Sequence, residues 1–381
     1  MATRRRSANH TGTSYKRTDG RWEWRVSLPD GRRKSFYGAT EGEARNRAKV
    51  ALKDMDQGVD ISVKDLTVAQ FLNRWIDETA ADRVRPSTLR SFRGHIDVHI
   101  IKHLGSIKLR NLTPQSVNRM LATIVATGAS PTTANRIRAT LRTALASAVK
   151  WGLVARNVAA LSDARKESKV RVKPMQLEEI LVFLKATEYD RHGQLFHLAI
   201  TTGLRQGELF ALRWKSDIDL TRGVLIVNHT AARGKDGRIT FGPIKTEQSR
   251  RVVRLTDSAI AALHRQQKLV DRLEQLAAES WTGHDLVFPS KTGTFLDGSN
   301  VRTALQRALK HAGLPDQRFH DLQHATASLL IAEGCDLFTV KEILGHSQYH
   351  LTANTYGHLS QKVSEEAASR LNRALSREME R

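Results

Sequence analysis

A chain of 381 residues is long enough for two or three domains, each with a core of its own. Lysine and arginine number 61 against 39 acidic residues, which gives a formal net charge of +22. Basic residues recur along the whole chain from Arg4 to Arg381, so the excess is not one basic tail on a neutral enzyme. It indicates a polyanionic partner, foremost nucleic acid.

Several classes of protein and site do not fit the sequence. No run approaches the roughly 18 apolar residues needed to span a bilayer, and the start, M-A-T-R-R-R-S, lacks the apolar segment of a secretory signal. Cys335 is the only cysteine, which excludes a disulfide framework and a cysteine-based zinc site. Carboxylates and histidines do not cluster at metal-ligand spacing, and no phosphate-cradling glycine loop is present. We expect a cytoplasmic protein that needs no metal, cofactor or membrane.

Residues 1–58 predict a small three-stranded sheet followed by one helix. Apolar residues alternate over residues 22–28, and an Asp-Gly turn leads into a returning strand over residues 33–37. Thr40 and Glu43 have the spacing of a capping box. Since β-ribbons can enter the major groove, we interpret this module as DNA-reading, and a mere folding adaptor is the alternative.

Residues 66–162 predict an all-helical, basic domain. Apolar residues keep a 3.6-residue period over residues 68–76 and 89–96. Thr113-Pro114 and Ser130-Pro131 each indicate an N-cap followed by proline at the first helical position. The candidate DNA-binding residues of these first two regions are Arg33, Arg136, Arg138 and Arg142.

A charged segment, residues 162–173, separates this domain from a mixed third region, residues 174–381. The helices predicted there cover residues 177–187 and 197–213 and resume at Thr256, and the strands cover residues 224–228, 239–241 and 252–255. The predicted fold class is therefore α+β and multidomain. Its third domain is mostly helical with a small antiparallel sheet.

Five sequence boxes follow one another in the third region. They are T-G-L-R-Q-G-E-L (202–209), P-I-K-T-E-Q-S-R-R (243–251), F-H-D-L-Q-H-A-T-A-S (319–328), L-G-H-S (344–347) and T-Y-G-H (355–358). In this order they resemble the boxes of the tyrosine recombinase family, specifically phage-type, lambda-like integrases. The resemblance extends to the β-rich first module and the helical second one. It implies a site-specific DNA recombinase that integrates and excises phage or mobile-element DNA through a 3′-phosphotyrosine intermediate.

Physical chemistry assigns roles to two of these residues. The transition state of phosphodiester cleavage gathers negative charge on the non-bridging oxygens, and the planar fork of Arg205 suits such a phosphate. The alternative is that Arg205 only pairs with Glu208, one helical turn on. Tyr356 is the candidate nucleophile, and its phenol needs neighbouring cations to lose its proton. Tyr349 is a rival that lacks the following Gly-His context.

Lysine and histidine residues complete the candidate site. Lys245 lies between two predicted strands, on a hairpin, and the resemblance implies that it protonates the leaving 5′ oxygen. His320 and His346 are expected to donate to the phosphate or to shuttle protons. His324 and His358 are expected to be supporting residues, the first packed beneath the site. Further along the lysine box, Arg250 and Arg251 are candidate contacts to the DNA backbone.

Gln323 stands where the family places its second catalytic arginine. Glutamine donates a hydrogen bond but brings no charge, and losing a preorganised donor of this kind costs about 10²–10³ in rate. Whether the substitution is deliberate or natural, it predicts a chain that binds and pairs DNA sites but cleaves poorly. Gln323 also supports the alternative of an architectural protein or repressor that has lost catalysis. A type IB topoisomerase is a further alternative.

An amphipathic helix is predicted near residues 360–381, with an apolar stripe formed by Val363, Ala367, Leu371 and Leu375. The resemblance implies that this helix docks on a neighbouring subunit in a cyclic tetramer on DNA, and packing on its own domain is the alternative. It also implies that residues 1–58 bind arm-type sites, while the two later domains hold the core-type site from opposite sides. A need for a host DNA-bending protein or an excision directionality factor stays open.

Overall fold

A computed structural model describes residues 12–27, 33–56, 66–167, 173–234, 237–244 and 250–345 of the chain. The chain divides into two compact units, Met1–Lys169 and Val170–Arg381. In the part of the chain that the structure describes, no helix combines the length and the apolar character needed to cross a bilayer.

The first unit begins with a small sheet covered by a helix. The elements are β1 (Thr13–Lys16), β2 (Trp22–Ser27), β3 (Arg33–Gly38) and α1 (Glu41–Asp56). The strands are antiparallel in the order β1-β2-β3, and α1 packs on them. Val26 is fully buried, as the alternation predicts, and the hydroxyl of Thr40 accepts a hydrogen bond from the main-chain N–H of Glu43 at 3.2 Å. The predicted three-stranded sheet with its helix is confirmed.

A helical bundle forms the rest of this unit. Its α-helices are α2 (Val68–Trp75), α3 (Ala81–Arg83), α4 (Pro86–His95), α5 (Ile101–Leu104), α6 (Pro114–Ala126) and α7 (Pro131–Lys150), with π-helical turns at Ile76–Ala80 and Ile96–Ile100 and a 3₁₀ turn at Leu109–Asn111. The side chains of Thr113 and Ser130 cap α6 and α7, and proline follows each. The apolar period places Phe71, Leu72 and Ile96 in one core.

The second unit combines helices with two small antiparallel sheets. Its helices are α8 (Leu177–Ala186), α9 (Gly193–Thr202), α10 (Gln206–Phe210), α11 (Trp214–Asp217), α12 (Asp257–Ala277), α13 (Gly298–His311), α14 (Phe319–Ala332) and α15 (Leu337–Leu344), with a 3₁₀ turn at Ala278–Ser280. Its strands are β4 (Ile218–Asp219), β5 (Val224–Val227), β6 (His229–Arg233), β7 (Ile239–Pro243) and β8 (Arg251–Arg254). The sheets are β4-β5-β8 and β6-β7.

Two details differ from the sequence expectation. The helix predicted over residues 197–213 is wrong in its middle, because Gly203 adopts φ +64° and ends α9 before α10 begins. The predicted hairpin around Lys245 is also wrong in its pairing. The strands on either side of it, β7 and β8, pair with β6 and β5 respectively and belong to different sheets.

Candidate active site

The break between α9 and α10 places Arg205 at a helix start. Gly203 supplies the left-handed residue that ends α9, and Arg205 is extended at the N-cap of α10. The main-chain N–H of Arg205 donates to Oε2 of Glu208 at 3.0 Å, so the carboxylate satisfies one of the unpaired N–H groups of this helix end.

The guanidinium of Arg205 is held at two corners. Its Nη1 donates to Oε1 of Glu208 at 2.8 Å, and its Nη2 donates to the carbonyl oxygen of Gly345 at 2.8 Å. The side chain is still 36% exposed. The pairing with Glu208 that served as the alternative reading of Arg205 therefore exists, and it coexists with an accessible cationic face.

Glu208 lies between two guanidinium groups. Arg251, from the start of β8, donates from Nη2 to Oε2 of Glu208 at 2.9 Å. The side chains of Glu208 and Arg251 are only 5% and 8% exposed. Burial by itself would raise the pKa of Glu208, but the charge and hydrogen bond of Arg251, with those of Arg205, hold that pKa below its usual range. The carboxylate is therefore ionised.

Three side chains cap the C-terminal end of α15. Arg251 donates from Nε to the carbonyl of Ile343 at 2.9 Å, Gln323 from Nε2 to that of Leu344 at 3.3 Å, and Arg205 to that of Gly345. These are carbonyl groups that a helix end leaves without a helical partner, and cations are favourable there. The helix end that leads into His346 is therefore fixed by donors from three separate segments.

Gln323 is buried at 3% exposure on α14. Its Nε2 also donates to the carbonyl oxygen of Gly203 at 2.8 Å, so a single amide joins the end of α9 to the end of α15. Its Oε1 is buried and has no hydrogen-bond partner among the described residues. Glutamine thus keeps a connecting role at this position and leaves one acceptor unsatisfied.

The two described histidines of the site lie on one face of α14. The rings of His320 and His324 have centroids 4.9 Å apart with planes at 73°. Partial loss of solvation lowers the pKa of His320, and the charges of Arg205 and Arg318 add to this effect, while Asp321 opposes it. Desolvation likewise lowers the pKa of His324, with a contribution from His320. Both rings are therefore neutral donors or acceptors at neutral pH.

Asp321 is the buried carboxylate at the start of α14. It accepts hydrogen bonds from Nε and Nη2 of Arg318 at 3.0 and 2.8 Å. Burial would raise the pKa of Asp321, but the hydrogen bonds from Arg318 outweigh it and lower that pKa. Arg318 is thereby engaged by Asp321 at its own helix end.

The candidate DNA-binding arginines differ in their surroundings. Arg33, Arg136, Arg142 and Arg250 are exposed. Arg138, by contrast, donates to the hydroxyl of Ser162 at 2.9 Å and to the carbonyls of Ala160 and Ser162, which ties the end of the helical bundle to α7. The burial of Arg251 also argues against direct contact with the DNA backbone, because its guanidinium is engaged by Glu208.

Other predicted residues fall beyond the described part. Lys245, His346, Tyr356, His358 and the helix expected over residues 360–381 lie outside the described residues. Among the residues that are described, no group of three histidine, cysteine or acidic side chains is arranged to hold a metal ion.

The surroundings of Arg251 differ from those that the sequence suggests. The sequence groups it with Arg250 as a candidate contact to the DNA backbone, yet its side chain is buried and bonded to Glu208. The alternation of β8 carried a signal, because buried Val253 lies two residues on and Val252 is 63% exposed.

Two family models match the chain. The phage integrase family matches residues 170–362, half of the chain, and the N-terminal SAM-like domain of phage integrases matches residues 67–123.

Individual integrases are also similar to the chain in sequence and in structure. An integrase of Streptomyces ambofaciens is 30% identical over 372 residues, covering 93% of each chain. The structure of the Tn1549 transposon integrase with circular intermediate DNA superposes with a TM-score of 0.69 at 20% identity, over 80% of this chain and 99% of that one. The lambda integrase tetramer bound to a Holliday junction gives 0.57 at 21% identity, over 92% and 96%.

Proposed function

The chain belongs to the phage integrase family of tyrosine recombinases, and on that premise we propose that it integrates and excises phage or mobile-element DNA. Site-specific recombination is the activity of the family. The finer proposal is that Tyr356 forms a covalent 3′-phosphotyrosine bond at each cut.

One observation carries this proposal: Nη2 of Arg205 donates to the carbonyl of Gly345 at 2.8 Å. The bond joins two sequence boxes that lie 140 residues apart. His346 follows Gly345 directly in the chain, so the arginine and this histidine belong to neighbouring segments. Desolvation is the main cause of the lowered pKa of His320, and the charge of Arg205 adds to it, which supports a shared site for these two residues.

The proposed reaction is metal-free. Arg205 and the histidines His320 and His346 bind the non-bridging oxygens of the phosphate. The Tyr356 oxygen gives its proton to the neutral ring of His320 and attacks phosphorus. The bond from phosphorus to the 5′ oxygen breaks, and Lys245 protonates that oxygen. The ester keeps the energy of the broken bond, so a partner strand's 5′ hydroxyl reverses the step without a nucleotide cofactor.

Gln323 limits this reaction in our proposal. Its amide donates to two main-chain carbonyls and brings no charge to the phosphate. We expect the chain to bind and pair DNA sites while cleaving slowly, by about 10²–10³ relative to an arginine at that position.

The other regions are proposed to bind and assemble DNA. Residues 1–58 bind arm-type sites, and residues 66–162 and 174–381 bind core-type sites. Four copies form a tetramer, with the helix of residues 360–381 docking on a neighbour. The lambda integrase tetramer on a Holliday junction has the same fold and motivates this assembly.

We propose that the protein acts at the nucleoid in the cytoplasm of a bacterial host. Recombination with purified chain, compared with the same reaction supplemented with host extract, tests for a DNA-bending factor. If excision is absent both with the purified chain and with added host extract, a separate excision directionality factor is required.

A nicked suicide substrate tests the central step, because loss of a short strand traps the covalent adduct. We expect slow accumulation of a protein–DNA adduct on a denaturing gel, none with Tyr356→Phe, and an unchanged amount with the matched control Tyr349→Phe. An adduct that persists with Tyr356→Phe contradicts the proposal.

The buried amide of Gln323 favours one second candidate, an architectural DNA-binding protein or repressor without cleavage. A strand-exchange assay with paired sites separates the candidates. Recombinant products support the recombinase, bound but uncut DNA supports the architectural protein, and relaxation of supercoiled DNA without exchange supports a topoisomerase.

A further inference from the structure

Glu208 shares its two oxygens between two arginines of unlike exposure. Arg205 contacts Oε1 at 2.8 Å, and Arg251 contacts Oε2 at 2.9 Å and Oε1 at 3.4 Å. The side chain of Arg205 is 36% exposed, whereas that of Arg251 is 8% exposed. In this cluster of Arg205, Glu208 and Arg251, only Arg205 therefore faces solvent.

The charges of this cluster do not cancel. Two guanidinium groups and one carboxylate leave a net single positive charge. If Glu208 were paired with Arg205 alone, the pair would be neutral and an approaching phosphate would meet a carboxylate directly behind the guanidinium. With Arg251 on the other oxygen, the surplus charge is expressed at the exposed member, Arg205.

We propose that Arg251 is a positioning residue for recombination, which neutralises Glu208 so that the charge of Arg205 stays available to the scissile phosphate. This inference rests on the proposed role of Arg205 in binding that phosphate. Arg251 itself does not touch the DNA. It acts through Glu208, and through the carbonyl of Ile343 it also holds the end of α15.

Because Gln323 is neutral, the charge of Arg251 matters more to the site. Among the three side chains that donate to the last carbonyls of α15, two are guanidinium groups and the third is an amide. The positive charge that an arginine would bring at position 323 is missing, so the surplus provided by Arg251 matters more.

The test measures charge at the phosphate without requiring cleavage. A half-site duplex is first selected from random sequence by binding to the full chain. Each phosphate is then replaced singly by a neutral methylphosphonate, and the loss of affinity is recorded. The relevant phosphate is the one whose replacement weakens binding to the native chain but not to Arg205→Met. If no phosphate behaves in this way, the proposed function of Arg205 fails, and this inference fails with it.

The methylphosphonate effect is the factor by which that replacement weakens DNA binding. At that phosphate, we expect Arg251→Met to reduce this factor about tenfold or more, because the carboxylate of Glu208 then lacks its second cation. The double variant Glu208→Gln with Arg251→Met should restore the effect, since it removes one charge of each sign. Arg251→Lys should retain it. Arg254→Met is the matched control, on the same strand but exposed, and should leave it unchanged.

The outcomes separate charge from structure. A full methylphosphonate effect in Arg251→Met overturns the inference while leaving the role of Arg205 intact. A loss that the double variant does not restore shows that Arg251 matters only for shape, which also overturns it. If Arg251→Met does not fold, the double variant and Arg251→Lys provide the test. The proposal is contradicted if methylphosphonate substitution no longer weakens DNA binding by either of them.

Discussion

The end of α15 is held on one side by charge and on the other by a neutral amide. On the first side, Arg205 and Arg251 share the ionised Glu208 and reach the carbonyls of Gly345 and Ile343. On the second side, Gln323 reaches the carbonyl between them, that of Leu344, and its Oε1 has no partner in the part of the chain that the structure describes.

Geometry and charge are therefore separable at this site. Gln323 supplies a donor to the helix end and so preserves the connection between α9 and α15. It does not supply the charge that a phosphate transition state needs. We therefore expect damage on the first side to lower stability, and changes on the second side to alter catalysis more than folding.

The largest expected effect is on the charged side. Glu208→Gln leaves Arg251 buried without its counter-ion, which should lower the free energy of unfolding of the second unit by about 3–5 kcal/mol. Hydrogen exchange of the α9 amides as a function of urea measures this. The matched control is Glu178→Gln, an exposed glutamate on α8, which should change little. Equal free energies of unfolding for the two variants would show that the contacts of Glu208 with Arg205 and Arg251 do not stabilise the fold.

The next effect concerns the missing charge. Gln323→Arg should raise the rate of phosphotyrosine formation about 10²–10³-fold, or roughly 3–4 kcal/mol in the barrier. Single-turnover kinetics on the suicide substrate give the rate. Gln323→Lys should gain less, since it adds charge without the planar fork. If Gln323→Arg does not raise the rate, the missing charge at position 323 does not limit cleavage, and this prediction is contradicted.

A smaller effect is expected when the amide is replaced by an apolar side chain. Gln323→Met leaves the buried carbonyls of Gly203 and Leu344 without this donor, which should cost about 1–3 kcal/mol of unfolding free energy. Gln306→Met is the matched control, because among the described residues Gln306 donates to one main-chain carbonyl, that of Gln317 at 2.8 Å. The same hydrogen-exchange measurement applies, and a larger loss for Gln306→Met would contradict the assigned connecting role.

The smallest effect is a pH dependence from α14. Because the folded state lowers the pKa of His324, the unfolded chain binds its proton more readily, and stability rises with pH. The contribution is present above the unfolded value of about 6.5 and is lost as pH falls below it. His324→Gln should flatten the exchange-derived stability profile in this range. A steeper profile in the variant would show the sign to be wrong.

Local patterns predicted much of the fold. The alternation of β2, the caps at Thr113 and Ser130, and the apolar periods of the bundle depend on residues close in sequence, and the structure confirms them. The strand β6 was missed because its sequence, H-T-A-A-R, has neither apolar alternation nor large β-branched residues.

The candidate site was less predictable, because its key contacts are long-range. The sequence boxes identified Arg205, Glu208, His320 and Gln323, but not that one carboxylate serves two arginines. Arg251 pairs with a residue 43 positions away and donates to a carbonyl 92 positions away. Neither separation leaves a local pattern, and a neighbouring run of basic residues favoured a surface interpretation.

Gly345 lies where α15 ends, with φ +64°, and a Cβ atom there would be 2.6 Å from Nη1 of Arg251. Any other residue would meet an unfavourable backbone conformation and a buried, immobilised guanidinium at once. Anyone randomising this chain to retarget it to new genomic sequences should therefore leave that codon unchanged, even though glycine has no side chain with which to read a base.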